Sequence, residues 1–404
     1  MSASLTTVGA VLNGIVSGKS IRTLERPAQG NEFGILKVSA VTWGEFRPAE
    51  SKAMPLEYDP GDCPRAMDGD ILISRANTRE LVGAPVMVRG DHPQLLLSDK
   101  LLKLIPDEKV VDRRYLVRAL RSSAAASHFT QSAGGSSGSM TNITQGDIRS
   151  APIRLPPLPE QRRIAAILDQ ADALRAKRWE ALAQLDSLTQ SIFIEMFGDS
   201  FANPFGWPLV DTGKLANVQG GLQVTSARKD LPREVPYLRV ANVHRGHLLL
   251  DEIKLIRATP AEVLRTSLRD NDLLVVEGHG NPSEIGRAAL WNGHITECVH
   301  QNHLIRVRFD MSIVVPAYAC EYLNSAGGRR HLLRAGKTTS GLNTISVSNV
   351  RDAPVALPPL ALQQTFATRI QAVEALKATH RAALAELDAL FASLQHRAFA
   401  GQLL

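Results

Sequence analysis

Apolar residues recur along the chain in two distinct patterns. Short continuous runs bounded by turn-forming residues, at 69–74 and 271–276, predict buried strands. Two much longer segments, 160–197 and 362–399, contain neither Gly nor Pro and predict helices on the order of 55 Å long. Proline is tolerated at a helix start but not inside a helix, so the start of the first helix is fixed by Pro156, Pro157 and Pro159. The patterns predict an α+β fold in which β-rich regions are combined with two long helices.

The chain contains one large module twice. When the sequence is shifted against itself by 202 residues, half its length, 142–158 falls on 344–360. The match includes a Leu-Pro-Pro-Leu segment that ends at Leu158 in one copy and at Leu360 in the other. A repeat this long predicts a pseudo-dimer in a single chain, with a pseudo-two-fold internal repeat. We divide the chain into β-rich regions at 1–154 and 200–356 and helical regions at 155–199 and 357–404.

Apolar positions on the two long helices share one heptad register, which is typical of a coiled coil. The predicted seam of the first helix is Ile167, Ala171, Leu174, Arg178, Ala181, Leu185, Leu188 and Ile192. That of the second is Arg369, Val373, Leu376, His380, Ala383, Leu387, Leu390 and Leu394. The matched register favours pairing of the two helices over separate packing of each on its own domain.

The order of the chain favours antiparallel pairing of these helices. The second β-rich region joins the end of the first helix to the start of the second, and it stays compact only if those ends are adjacent. Arg178 and His380 interrupt the apolar seam at equivalent positions near the midpoints of the helices. We therefore predict that they face each other as a polar layer that fixes the register of the pair.

This organisation resembles the specificity subunit of type I restriction–modification enzymes. The segment 155–172, LPPLPEQRRIAAILDQAD, resembles that family's sequence at the start of the central helix, and Phe197-Gly198-Asp199 resembles its helix end. The resemblance covers the full chain as recognition domain, helix, recognition domain, helix. The second copy departs from it, with Ala-Leu-Gln-Gln at 361–364 where the first has Pro-Glu-Gln-Arg at 159–162.

The resemblance implies a DNA-binding subunit without an active site or cofactor of its own. Each recognition domain would read one half of a split, asymmetric double-stranded DNA target. The helices would set the gap between the halves and dock two modification subunits, which use S-adenosylmethionine for adenine methylation. Restriction subunits that use ATP and Mg²⁺ would join this core.

Loops after the predicted buried strands are the first candidates for base contact, because Arg and Asn suit the hydrogen-bonding edges of guanine and adenine. The polar stretches before each Leu-Pro-Pro-Leu segment are the second. The loop candidates are Arg75, Asn77, Arg79, His279, Asn281 and Arg287. The stretch candidates are Ser136, Ser137, Thr141, Lys337, Thr338 and Ser340.

Signs of catalysis or metal binding are sparse in this sequence. The stretch 134–139 lacks the ending of a phosphate-binding P-loop. Cys298, His300 and His303 are close enough to suggest zinc, but their spacing is strand-like and no second ligand pair is near, so a structural or DNA-contacting role is favoured. We therefore predict no metal and no catalytic residue. The alternative is a coiled-coil scaffold for protein interaction that binds no specific DNA sequence.

Composition narrows the picture only a little further. Hydrophobic residues make up 44% of the chain, enough for a proper core, and no apolar run is long enough to span a membrane. The net charge of +6 is compatible with a polyanionic partner but does not identify one. Three widely separated cysteines favour a reducing compartment, and we expect a cytoplasmic protein.

Overall fold

A computed structural model describes residues 4–137, 140–339 and 342–402. It divides into two compact units. The first unit is Met1–Trp179 with Ala383–Leu404, and the second is Glu180–Ala382. The division runs through both long helices, Leu158–Phe197 and Leu360–Ala400, so that each unit combines one β-rich region with a segment of each helix.

The first unit is built on four small sheets. An antiparallel sheet has the strand order Leu12–Ser17, Leu101–Pro106, Ile71–Ser74, Pro85–Met87. A mixed sheet has the order Ser51–Ala53, Gly34–Leu36, His92–Leu97, Arg65–Ala66. A three-stranded sheet has the order Gly134–Ser137, Met140–Asn142, Ala76–Asn77, and a two-stranded sheet pairs Ser4–Thr7 with Pro152–Leu155. The shorter α-helices are Ser39–Thr42, Arg113–Leu120, Ser123–Ser132 and Gln145–Ser150.

The second unit repeats this plan. Its antiparallel sheet has the order Ala216–Gly220, Leu304–Phe309, Leu273–Val276, Ala288–Leu290. Its mixed sheet has the order Lys254–Ala258, Arg233–Leu238, Val299–His300. A three-stranded sheet has the order Gly278–His279, Leu342–Thr344, Lys337–Thr339. A two-stranded sheet pairs Leu209–Asp211 with Pro354–Ala356. The shorter α-helices are Thr212–Leu215, Pro260–Thr266, Pro316–Asn324, Ala326–Ala335 and Val347–Arg351.

Equivalent side chains make the same contacts inside each of the two copies. The buried Tyr115 donates its hydroxyl proton to the carbonyl of Arg154 at 2.8 Å, and Tyr318 does the same to Ala356 at 2.8 Å. Two glycines also match: a Cβ on Gly18 would lie 2.2 Å from the Ser98 carbonyl oxygen, and a Cβ on Gly221 2.1 Å from that of His300. The predicted internal repeat and α+β class are confirmed, because strand order and anchoring contacts recur in both units.

One buried glutamine secures the start of each long helix. Gln161 accepts from the Asp112 backbone N–H at 2.8 Å and donates to the carbonyls of Pro156 and Val110 at 2.8 and 3.0 Å. Gln363 accepts from Val315 at 2.9 Å and donates to Pro358 and Ile313 at 2.8 and 3.3 Å. Each amide therefore satisfies one carbonyl of the proline-rich entry and two backbone groups of the loop that precedes a shorter helix. The sequence carries this signal, since one glutamine is kept where PEQR is replaced by ALQQ.

The predicted seam uses two positions of each heptad. One of these positions is shifted in the structure, where the next residue along the helix takes the place of the predicted one. Equivalent leucines assigned to the seam are substantially exposed: Leu174, Leu188, Leu376 and Leu390, at 46%, 43%, 47% and 49%. The residues that follow two of them are less exposed and make ion pairs instead. Arg175 contacts Asp388 at 2.5 Å in the first unit, and Lys377 contacts Asp186 at 2.9 Å in the second.

The helix segments of the second unit pair in antiparallel fashion, as predicted. Lys377 contacts Asp186, whereas Arg369, earlier on the second helix, contacts Glu195, later on the first, at 3.5 Å. Arg178 falls in the first unit and His380 in the second, and both are half-buried. Their facing each other stays a prediction.

Candidate nucleic-acid interface

In the first unit, the two groups of predicted DNA-contacting residues come together on one sheet. The strand Ala76–Asn77 follows the buried strand Ile71–Ser74 and pairs with Met140–Asn142, with Asn77 opposite Thr141. Gly134–Ser137, which contains Ser136 and Ser137, pairs with the other side of Met140–Asn142. These three strands are called the hairpin sheet of the first unit. Segments that are far apart in sequence thus form one surface.

The second unit has an equivalent hairpin sheet. Gly278–His279 pairs with Leu342–Thr344, with His279 opposite Asn343. Lys337–Thr339 pairs with the other side of Leu342–Thr344, so that Lys337 and Thr338 belong to the same sheet. Ser340 lies outside the described residues. Asn343, which the sequence did not single out, stands where the first unit has Thr141, and their common place in the repeat is the signal that could have found it.

Contacts within the hairpin sheets orient several candidates. Asn77 donates from its side-chain amide to Thr42 Oγ1 at 3.1 Å, and its carbonyl accepts from the Thr141 hydroxyl at 3.2 Å. His279 accepts the Asn281 backbone N–H on Nδ1 at 3.0 Å. Asn281 in turn accepts from the Ser283 backbone N–H at 3.0 Å. These contacts fix side chains in advance, so that less rotamer freedom is lost on binding.

The loop candidates differ in accessibility. Arg75, Arg79 and Asn281 are exposed, and Asn77 and His279 are half-buried. Arg287 is buried, at 7% exposure, and donates to the Val240 carbonyl at 3.1 Å. Its guanidinium therefore acts within the fold and is not accessible for a base contact. The sequence pattern alone could not reveal this burial.

Arg287 belongs to a basic cluster beside the hairpin sheet of the second unit. Arg245 and Arg287 both contact Glu284, at 3.3 and 3.4 Å, and Arg329 donates to the Ser283 carbonyl. Three guanidinium groups around one carboxylate leave a net positive charge. Burial lowers the pKa of Arg329, and the neighbouring Arg245 adds to this effect. The cluster is suited to attract a phosphate backbone toward this face.

A residue beside the second hairpin sheet, Glu277, escaped the sequence prediction. It immediately precedes Gly278–His279, and its carboxylate contacts the Nδ1 atom of His303 at 3.3 Å. Burial raises the pKa of Glu277, and His303 opposes that shift. The signal in the sequence was its place in the repeat, because Glu277 corresponds to the candidate Arg75.

The residues that suggested zinc are separated by the fold. Cys298 is buried in an apolar cluster that includes Trp291 and Leu304. The buried His300 places Nδ1 3.1 Å from the Thr266 carbonyl oxygen, whereas His303 is exposed. Burial lowers the pKa of His300 to about 4, and Arg306 adds to the shift. These contacts favour a structural role for Cys298 and His300.

Across the described ranges, no helix has the length and apolar character needed to cross a bilayer.

The comparisons with known proteins agree with one another. Residues 64–184 match the model of the type I restriction modification DNA specificity domain. The chain is 30% identical over 165 residues to the EcoEI specificity subunit of Escherichia coli, covering 40% of this chain and 27% of that protein. It is 26% identical over 319 residues to the EcoKI specificity subunit of E. coli K12, covering 73% of this chain and 67% of that protein.

The chain is similar to type I restriction–modification specificity subunits, and over residues 64–184 it matches the DNA specificity domain of that family. It spans only about a quarter of the EcoEI protein in that match, and about two thirds of EcoKI. The crystal structure of a type I restriction-modification S subunit from M. genitalium has the same fold, with a TM-score of 0.57 at 13% identity over 99% of this chain and 96% of that one. A chain from a study of assembly of the type I R-M system gives a TM-score of 0.56 at 20% identity, covering 100% and 98%.

Proposed function

We propose that the protein is the DNA-recognition subunit of a type I restriction–modification complex. Each unit reads one half of a split, asymmetric duplex target. One observation carries this proposal: a single scaffold occurs twice and presents different side chains on equivalent hairpin sheets. Asn77 and Thr141 in the first unit correspond to His279 and Asn343 in the second. Different side chains at equivalent places suit half-sites of different sequence, since base edges are read by specific donors and acceptors.

The recognition subunit contributes no chemistry of its own in this proposal. Methyl transfer and cleavage belong to modification and restriction subunits, which would supply S-adenosylmethionine, ATP and Mg²⁺. Its place of action would be the cytoplasm. Purified chain mixed with DNA and S-adenosylmethionine is expected to transfer no methyl groups.

Exposed leucines on the long helices are the surface we assign to the modification subunits. The first unit carries Leu174 and Leu390 and the second carries Leu188 and Leu376, one from each helix in each unit. All four are more than two fifths exposed, although each lies in a helix otherwise rich in charge. The equivalence of the two leucine pairs favours two copies of one apolar partner, one on each unit.

Replacing leucine by glutamate tests this docking surface. Leu174→Glu with Leu390→Glu should weaken capture of one modification subunit about tenfold or more and leave the second bound. Ala173→Glu, an exposed neighbour on the same helix, provides the control. Mass measurement of the assembled complexes would show the loss of one copy, and retention of both copies at normal affinity would contradict the assignment.

The helices would also set the gap between the two half-sites. Inserting four residues near Ala181 adds about one helical turn, roughly 6 Å, which nearly preserves the buried face. Duplex DNA rises about 3.4 Å per base pair, so the gap should grow by one or two base pairs with the bases at each end unchanged. An active variant with an unaltered gap would show that another element determines the spacing.

Methylation mapping tests the proposed function as a whole. Cells that carry the chain with its modification partners should show a split motif with both halves modified. Replacing residues 1–154 by those of a relative should change one half of the motif and leave the other intact. A random methylation pattern, or sequence-independent DNA retention, would instead favour the coiled-coil interaction scaffold.

A further inference from the structure

Arg75 and Glu277 occupy the same backbone position in the two units. The Arg75 N–H donates to the Lys100 carbonyl at 2.8 Å, and the Glu277 N–H donates to the equivalent carbonyl of His303 at 3.0 Å. On the other side, the Arg75 carbonyl accepts from Ile143 at 2.9 Å. The Glu277 carbonyl accepts from the equivalent Ile345 at 2.8 Å. Each residue is thus anchored between the residue just before a core strand and the residue just after a strand of the hairpin sheet.

The side chains at this shared position have opposite chemistry. Arg75 is exposed and its neighbour across the backbone is the exposed Lys100, so the first unit presents two cations. Glu277 is a quarter exposed, and its neighbour His303 is about half exposed and engages the carboxylate through Nδ1. The backbone is therefore the same while the hydrogen-bonding character is reversed.

Hydrogen-bond chemistry gives this reversal a meaning at a base edge. A guanidinium only donates, and in the major groove it matches the two acceptors of guanine, O6 and N7. An ionised carboxylate only accepts, and it matches an exocyclic amino group, on cytosine N4 or adenine N6. A carboxylate next to guanine O6 or thymine O4 would leave two acceptors opposed and unpaired.

We infer that this position reads a base in both units, with Arg75 selecting guanine and Glu277 selecting a base that carries an exocyclic amino group, cytosine in the first place. The inference rests on the proposed function and adds Glu277 and its preferred base to it. His303 is a positioning residue: its ring holds one carboxylate oxygen, Oε2, and restricts the rotamer from which the carboxylate meets the base.

Glu277→Gln separates the accepting role from shape. Glutamine is nearly isosteric with glutamate but donates as well as accepts, and it pairs with adenine N6 and N7. The full chain, assembled with its modification subunits, would select duplexes from a randomised library, and the selected motif would be sequenced. Discrimination at one base pair of one half-site should fall about tenfold or more or move toward adenine, while the other half-site keeps its sequence.

Two further variants sharpen the test. Glu277→Arg should create a preference for guanine at the affected base pair, and Arg75→Gln should change one base pair in the other half-site. Glu234→Gln is the matched control, because it removes the same charge from a half-exposed carboxylate on a different sheet of the second unit. The control should select the wild-type motif. Thermal unfolding of each variant identifies any that fail to fold.

The outcomes separate the inference from the proposed function. If the wild-type complex selects no split motif, the proposed function fails. If it selects one, and folded Glu277→Gln and Glu277→Arg variants keep every base preference, the inference is overturned and the function stands. At the affected position of the wild-type motif, a C·G pair would agree with cytosine N4, whereas an A·T pair would overturn the choice of cytosine and assign Glu277 to adenine N6.

Discussion

The two units use the same backbone solutions but place different chemistry on them. Gln161 and Gln363 secure the helix starts through matching hydrogen bonds, and Tyr115 and Tyr318 tie equivalent helices to equivalent strands. By contrast, the buried Leu97 corresponds to the buried His300. The side chains that satisfy backbone groups at these places are identical in the two units, whereas the buried position of Leu97 and His300 has diverged. The comparison separates residues that hold the fold from residues free to specify its target.

Charged pairs on the long helices are also the same in the two units. The helix ion pairs Arg175–Asp388 and Lys377–Asp186 are equivalent and keep their sign, as do the pairs of Arg175 with Asp172 and Lys377 with Glu374, both 2.8 Å. A buried or half-buried cation on a long helix needs an anionic partner, because an unpaired buried charge lowers the stability of the fold.

The largest expected effect is a Cβ placed on the matched glycines. Gly18→Ala and Gly221→Ala bring the new carbon within 2.2 Å and 2.1 Å of backbone oxygens that cannot move independently. Each should destabilise its own unit by about 3 kcal/mol or more. Hydrogen exchange followed by mass spectrometry would resolve the two units. Gly14→Ala is the control, since its Cβ would meet only Ile105 at 4.0 Å; equal losses in variant and control would break the comparison.

Removing the side-chain amides at the helix starts should lower the free energy of unfolding somewhat less than the glycine substitutions do. Gln161→Ala and Gln363→Ala each leave one backbone donor and two carbonyls without their partner, a loss of about 3 kcal/mol. The two variants should be similar despite the different flanking sequences. The exposed Gln170 and Gln364, replaced by alanine, are the controls in denaturant unfolding. A large effect in one unit alone would show that the anchors are not equivalent.

Lowering the pH should destabilise the second unit through His300, which has no counterpart histidine in the first. The folded-state pKa of His300 is lowered to about 4 from an ordinary 6.5, so the unfolded chain binds a proton that the folded chain resists. This contribution is present above pH 6.5 and declines as pH falls toward 4, with a loss of about 2 kcal/mol between pH 7 and 5.

His300→Leu installs the residue of the first unit, Leu97, and should remove this acid sensitivity. Fluorescence of the buried Trp291 reports on the second unit during urea unfolding at the two pH values. His294→Leu, at an exposed site, should retain the wild-type dependence. An unchanged slope in the His300 variant would assign the acid response to other groups.

The smallest effect is expected at the equivalent helix caps. Thr144 and Ser346 accept from the backbone N–H groups of Asp147 and Asn349 at 3.1 and 3.2 Å. Alanine at either position should cost about 1 kcal/mol, measured by thermal unfolding. Ser123→Ala, at an exposed position in the helix Ser123–Ser132, is the control. A much larger loss at Thr144 would indicate that the charged Asp147 adds to its cap.

The fold was predictable from the sequence to the extent that it repeats. The internal match located both copies, and Pro156 with the absence of further breakers located the first long helix. The seam was misplaced at one heptad position because Leu174 and Leu376 are apolar but exposed, whereas Arg175 and Lys377 pair with carboxylates on the facing helix segment. Periodicity counts apolar residues and does not detect a charge that finds its partner in another segment.

The candidate interface was predictable in parts that the sequence could not join. The loop containing Asn77 and the stretch containing Thr141 were each identified, but their pairing depends on tertiary register. Glu277 was missed because it was judged by its neighbours in sequence rather than by its counterpart Arg75. Arg287 was assigned to DNA because the sequence does not reveal its burial, which depends on packing around Val240.

The two-stranded pairing at the base of each β-rich region has a genetic consequence. Ser4–Thr7 lies beside Pro152–Leu155, and Leu209–Asp211 lies beside Pro354–Ala356, so each region enters and leaves at neighbouring points. A gene segment that encodes everything between such strands can be exchanged by recombination without moving the flanking chain. Duplication followed by separate drift of two enclosed segments would then generate new pairs of readers, while selection on the glutamine, tyrosine and glycine anchors keeps every combination foldable.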